Sequence, residues 1–254
     1  MPTDVTQRAQ MTNAGTSRED EQGSALMTLI RAIASRDEQK ASRLLDASPG
    51  LARQAAEIGA TRQVSTPYYF KEIEHYVYAG DTALHIAAAA YAREFSKKLL
   101  AKGANVRARN RRGAEPLHYA VDGSPDSHIW NPAAQQAIVN CLIEAGADPN
   151  SADKSGVTPL HRAVRTRCAD AVRTLLANGA DPRRKNGSGS TPLHLAVQNT
   201  GRGGSGSSAS REQQREIILL LLKHGARPTD KDTAGKSVTE SVAVDCILDL
   251  LRGS

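Results

Sequence analysis

The sequence predicts an all-α solenoid of about six stacked helix-turn-helix units joined by short β-hairpin-like turns. Three observations predict it: an octapeptide that recurs in phase, a helix-ending motif that recurs in the same phase, and a scarcity of aromatic residues. The octapeptides are Asp81-Thr-Ala-Leu-His-Ile-Ala-Ala88, Ala114-Glu-Pro-Leu-His-Tyr-Ala-Val121, Val157-Thr-Pro-Leu-His-Arg-Ala-Val164 and Ser190-Thr-Pro-Leu-His-Leu-Ala-Val197. Each follows a glycine, at 80, 113, 156 and 189, so the spacings are 33, 43 and 33; Gly235 follows after 46. The unit is thus 33 residues long, with insertions of 10 and 13. Aromatic residues make up 4% of the chain, so the core must be built from Ala, Leu, Ile and Val, which suit closely packed helices.

Taken in order, residues 1–23 are polar and unpatterned and are expected to be a disordered tail. Residues 24–57 form an N-terminal cap, with an apolar stripe of Leu26, Leu29, Ile30 and Ile33 and then Leu44 and Leu45. Residues 58–79 are an aromatic insertion. It holds Tyr68, Tyr69, Tyr76 and Tyr78, four of the six tyrosines, and Ile73–Tyr78 alternates in a way that suggests a finger or hairpin. Residues 80–232 carry the four clear repeats. In the best-formed ones Thr158 or Thr191 caps the first helix, and Pro159 or Pro192 takes its first position, where the missing N–H costs nothing. The second helices end in Leu99-Leu-Ala-Lys-Gly-Ala104, Leu142-Ile-Glu-Ala-Gly-Ala147, Leu175-Leu-Ala-Asn-Gly-Ala180 and Leu221-Leu-Lys-His-Gly-Ala226, with glycine where a left-handed residue ends a helix. Residues 233–254 form a C-terminal cap, where Lys236–Arg252 is expected to be a further helix pair.

This period, with its T-P-L-H and G-A-D wording, resembles the ankyrin repeat. The Ala- and Arg-rich text around it resembles that of bacterial ankyrin proteins. The resemblance implies that His85, His118, His161 and His194 bond to a neighbouring Thr and to backbone across repeats, rather than bind metal or catalyse. Glu115 stands where Thr is usual, which puts the bonding at His118 in question. The resemblance also implies a non-enzymatic scaffold that binds a partner protein through its concave face and turn tips.

On that frame the candidate partner-binding residues are the insertion's Tyr68, Tyr69, Tyr76 and Tyr78, the turn residues Arg109, Arg111, Arg112, Lys154 and Lys185, Arg165 on a first helix, and Trp130. The arginines of Val106–Arg112, followed by Arg183, Arg184 and Lys185, form a basic ridge suited to an acidic partner. They are read as surface charges, so removing Arg109, Arg111 and Arg112 should weaken binding and spare stability. The tyrosines either bind the partner or cover the join between the cap and the first repeat. Trp130, in the insertion Asp122–Pro132, either anchors a partner or tucks against the neighbouring repeat. The other insertion, Thr200–Ser210, is Gly/Ser slack, and its G-x-G-x-x-G lacks the βαβ setting of a dinucleotide site. No cofactor, metal or catalytic residue is assigned.

The net charge of +6, with 27 acids among the charged residues, argues against nucleic acid as the partner, although the ridge keeps that alternative open. An enzyme would need a site without a signature, around Cys168 with a nearby histidine. Cys141 and Cys246 are read as small core hydrophobes and Cys168 as the more exposed thiol. An odd number of dispersed cysteines, no secretory signal and no long apolar run fit a cytoplasmic, membrane-free protein, with delivery to a host cell left open; the oligomeric state is not read from the sequence, a monomer being favoured.

Overall fold

A computed structural model describes residues 25–198, 206–242 and 245–252. The expectations for the tail 1–23 and for most of the Gly/Ser insertion fall outside these residues. The helices are α1 (25–34), α2 (Glu38–Ala47), α3 (Ala83–Ala89), α4 (Arg93–Ala101), α5 (Pro116–Ala120), α6 (Pro132–Glu144), α7 (Pro159–Arg165), α8 (Ala169–Ala177), α9 (Pro192–Ala196), α10 (Ser208–Lys223) and α11 (Asp245–Arg252). First helices pack in a row, α3 on α5, α5 on α7 and α7 on α9, and second helices pack in a parallel row, α4 on α6, α6 on α8 and α8 on α10. The result is an all-α repeat solenoid of two helical layers. None of its described helices is long and apolar enough to cross a membrane.

The first helices are short and almost wholly buried. Every residue of α3, five of its seven being Ala or Leu, lies in the core. Small side chains let such helices approach closely, and each is covered by both neighbours and by its own second helix. The caps expected from sequence are present: Thr158 and Thr191 begin α7 and α9, with proline at the first position.

The turns stack in register. In the turn before α5, Asn110 Oδ1 accepts the backbone N–H groups of Arg112 and Ala114, and Gly113 takes the left-handed conformation at φ 78°. A Cβ on Gly113 would stand 2.9 Å from the backbone nitrogen of Lys154 in the next turn. Glycine is therefore required twice over, by conformation and by proximity.

Each repeat is locked to the next through its histidine. His85, His118 and His161 each place Nε2 3.1 Å from the carbonyl of Ala114, Val157 and Ser190, and His194 reaches Lys236 at 3.4 Å. In each ring Nδ1 accepts a backbone N–H three residues earlier. His118 keeps this arrangement with Glu115 as its cap residue, so the replacement of Thr leaves the ladder intact. Both ring nitrogens are thus occupied in every repeat, and the tautomer is the neutral one with hydrogen on Nε2.

The last unit departs from the expected helix pair. Its first helix shrinks to a 3-10 turn, Thr239–Ser241, within a run of β-branched and serine residues that favour helix poorly. Glu240 stands at the histidine position and bonds back to the Ser237 N–H and hydroxyl, at 2.7 and 2.6 Å.

The insertion before α3 is a small finger. Two-residue strands, β1 (Tyr69–Phe70) and β2 (His75–Tyr76), pair antiparallel with Tyr69 opposite Tyr76. Between them lies a 3-10 turn, Lys71–Ile73, ended by Glu74 in the left-handed conformation. Phe70, Ile73 and Val77 are buried and cover the join with the N-terminal cap, while Tyr69 and Tyr76 remain exposed with ring centroids 4.8 Å apart.

Candidate partner-binding cleft

The finger, the turn before α5, the ends of α3, α5 and α7, and the loop 121–131 enclose a cleft of about 310 Å³. Of the residues singled out from sequence, Tyr76, Tyr78, Arg112, Trp130 and Arg165 line it. Tyr78 projects from the base of the finger, where the guanidiniums of Arg111 and Arg112 lie 5.5 and 5.1 Å from its ring centre. Arg112 also donates to the Tyr78 hydroxyl at 3.2 Å.

Trp130 is half-buried and held by its insertion's own repeat. Its indole N–H donates to Gln135 Oε1 at 3.1 Å, and Gln135 in turn donates to the Asp122 carbonyl at 3.2 Å and to the Tyr91 hydroxyl at 3.3 Å. A Cβ on Gly123 would meet Trp130 at 2.7 Å and Tyr91 at 2.8 Å, so this glycine gives the two rings their room. The ring still forms part of the cleft wall.

The floor of the cleft was not anticipated from sequence. Arg162, on α7, is buried and donates to Asp122 Oδ2 at 2.9 Å, with Asp153 Oδ2 at 3.9 Å from its other terminal nitrogen. His75, on the finger, places Nε2 3.2 Å from the same Asp122 oxygen and stacks on Tyr119 with centroids 4.2 Å apart. Tyr119 is fully buried and donates to Asp81, which also takes the Asn110 amide at 2.9 Å and the Tyr78 N–H at 2.7 Å. Burial opposes ionisation of Asp122, but the Arg162 guanidinium and the His75 ring outweigh it and hold the carboxyl at about 2. Burial raises the Tyr119 phenol well above its ordinary value, and Asp81 raises it further. Tyr119 and Arg162 occupy one repeat position, just after the histidine, where the other repeats have Ile86 and Leu195. That break in the pattern is the signal that would have found the floor.

The remaining candidates lie elsewhere. Tyr68 packs against the core behind the finger, and Tyr69 faces outward beside Tyr76. Lys154 and Lys185 are exposed on later turns. Arg183 pairs with Asp230 at 2.9 Å, which offsets one charge of the ridge. Arg109 is bound to Glu115 and Ser151, and Arg111 donates to the Ala60 carbonyl. Removing Arg109, Arg111 and Arg112 together would therefore break structural bonds as well as remove charge.

Cys168 overturns an expectation. It is fully buried between helices, and burial pushes its thiol up to about 11. The site begins a second helix at the layer interface, where the turn brings the side chain inward. Cys141 is buried, as read from sequence. The side chain of Cys246 lies outside the described residues.

Two family models match the chain: one described as Ankyrin repeats (3 copies) over residues 131–232, and one described as Ankyrin repeat over residues 79–111. The chain is an ankyrin-repeat protein. The stretch between the two matches, 112–130, holds the divergent Glu115 repeat and the insertion that walls the cleft. No curated protein matches the chain. Ankyrin repeats are in general protein–protein interaction modules, and the cleft in this ankyrin stack lies where its two irregular segments, the finger and the 121–131 loop, face each other.

Proposed function

We propose that this ankyrin protein is a non-enzymatic scaffold or adaptor, acting in the cytoplasm, whose partner docks in the cleft beneath the finger. One observation carries the reading. Tyr76 and Tyr78 from the finger, Arg112 from a turn, Trp130 from an insertion and Arg165 from α7 come from four separate segments and line one concavity. Aromatic and arginine side chains in a concave setting are the usual anchors of a protein interface. Arg36, Arg112 and Arg165 line the cleft without a carboxylate at ion-pair distance among the described residues, which favours an acidic partner surface. A contact of about 800 Å² on each side would be ordinary.

The test is a nuclease-treated pull-down from native lysate with mass spectrometry, comparing the parent with the Arg112→Glu, Arg165→Glu double variant. The expected outcome is one protein enriched on the parent and lost on the variant, with melting temperature unchanged. A protein retained equally by both would overturn the cleft as its docking site. Capture that disappears on nuclease treatment alone would point to nucleic acid as the partner.

A further inference from the structure

We infer that His75 is the positioning residue that holds the finger over the cleft, and that it does so with hydrogen on both ring nitrogens. Its Nδ1 lies 2.9 Å from the Tyr76 carbonyl oxygen and its Nε2 lies 3.2 Å from Asp122 Oδ2. Both oxygens are acceptors only, because a carbonyl has no hydrogen and Asp122 is ionised beside Arg162. A neutral imidazole has one N–H and one lone pair, so either neutral tautomer turns a lone pair towards an oxygen at hydrogen-bond distance. Only the doubly protonated ring makes both bonds.

The surrounding charges agree. Asp122 faces both Arg162 and His75, and Asp153 lies 3.9 Å from Arg162. Tyr119, from α5, stacks on the His75 ring and is neutral, with its hydroxyl directed to Asp81. His85, from α3, meets Tyr119 edge-on and is neutral in the inter-repeat ladder. Arg36, Arg112 and Arg165 at the rim, and Glu72 and Glu74 on the finger itself, complete the charged groups around the cleft.

Loss of one hydrogen at higher pH breaks one of the two bonds and turns a lone pair towards an oxygen. The finger then loosens, and Tyr76 and Tyr78 lose their fixed place in the cleft. The consequence for affinity rests on the cleft being the docking surface, as proposed above; the movement of the finger does not. The inference therefore adds a pH-dependent control to that same surface.

Trp130 is the protein's sole tryptophan and lines the cleft, so its fluorescence reports the finger without any partner. The measurement is acrylamide quenching at about pH 6 and about pH 8. It is made on the His128→Gln background, because exposed His128 lies two residues from Trp130. The expected result is a quenching constant roughly twofold larger at the higher pH, and no such change once His75→Gln is added, since the glutamine amide neither gains nor loses a proton in this range. Nitrogen-15 NMR of the parent should show two protonated ring nitrogens for His75 at about pH 6. A bare ring nitrogen there, quenching that is flat in pH for the parent, or the same pH response with His75→Gln would each overturn the inference. Failure of the pull-down with these results intact would remove the partner reading and leave the latch standing.

Discussion

The Glu115 carboxylate lies 3.1 Å from the Arg109 guanidinium, although its side chain is only 3% exposed and Arg109 reaches into solvent. Glu115 Oε1 also accepts the Ser151 hydroxyl at 2.5 Å, while Oε2 is buried without a hydrogen-bond partner. A buried carboxylate that loses its counter-charge is costly. Arg109→Ala should therefore destabilise the fold by about 2 kcal/mol, in the range for a charged hydrogen bond. Adding Glu115→Thr, which restores the cap found in the neighbouring repeats, should return most of that loss. Urea unfolding of the two single variants and the double variant checks this; additive losses would refute it.

Acid should destabilise the repeat stack through its histidine ladder. Burial, aided by the Arg162 charge, lowers His118 from 6.5 to about 4, and burial likewise lowers His85 and His161. A group lowered by folding adds stability that is present above its unfolded value and is lost as pH falls through the folded one. His118 alone should contribute about 3 kcal/mol above about pH 6.5 that is lost towards pH 4. The urea midpoint should fall between about pH 7 and about pH 5, and His118→Gln should flatten that dependence. This window runs opposite to the loosening of the finger, which belongs to the alkaline side.

Cys168 should be inert in the folded protein. A thiol moved from 9.0 to about 11 has about a hundredfold less thiolate at neutral pH, before any effect of its burial between helices. Aromatic disulfide reagents should label Cys168 only after denaturant is added. Rapid labelling at this position in the native protein, located by peptide mass spectrometry, would contradict the packing.

Gly123 should tolerate no side chain. A Cβ there would stand under 3 Å from both Trp130 and Tyr91, and overpacking of this kind costs about 1–3 kcal/mol. Gly123→Ala should shift the Trp130 emission and lower the melting temperature together. A shift in emission with unchanged stability would mean that the indole moves away freely.

Much of this architecture was legible in the chain because its causes are local. The T-P-L-H cap, the proline at the first helical position and the glycine after the second helix each act within a few residues, and they recur with a 33-residue period lengthened only by the insertions of 10 and 13. The cleft was half legible. Tyr76, Tyr78, Arg112, Trp130 and Arg165 stand out as departures from the repeat, and the stack brings them together. Asp122 stands at a variable position of the repeat, but Arg162 and His75 were missed because each is unremarkable in its own segment and acquires meaning only from the Asp122 carboxylate between them.

The sequence by itself determined the period, the layering and the ends of most helices, since capping, glycine conformation and apolar spacing are properties of short stretches. Tertiary structure decided which charges are free. Arg109, Arg111 and Arg112 are near neighbours in one turn, yet one is tied to buried Glu115, one reaches the Ala60 carbonyl and one opens onto the cleft. The physical reason is that a guanidinium's role is set by the acceptors and rings within reach of its fork, and here those come from segments dozens of residues away.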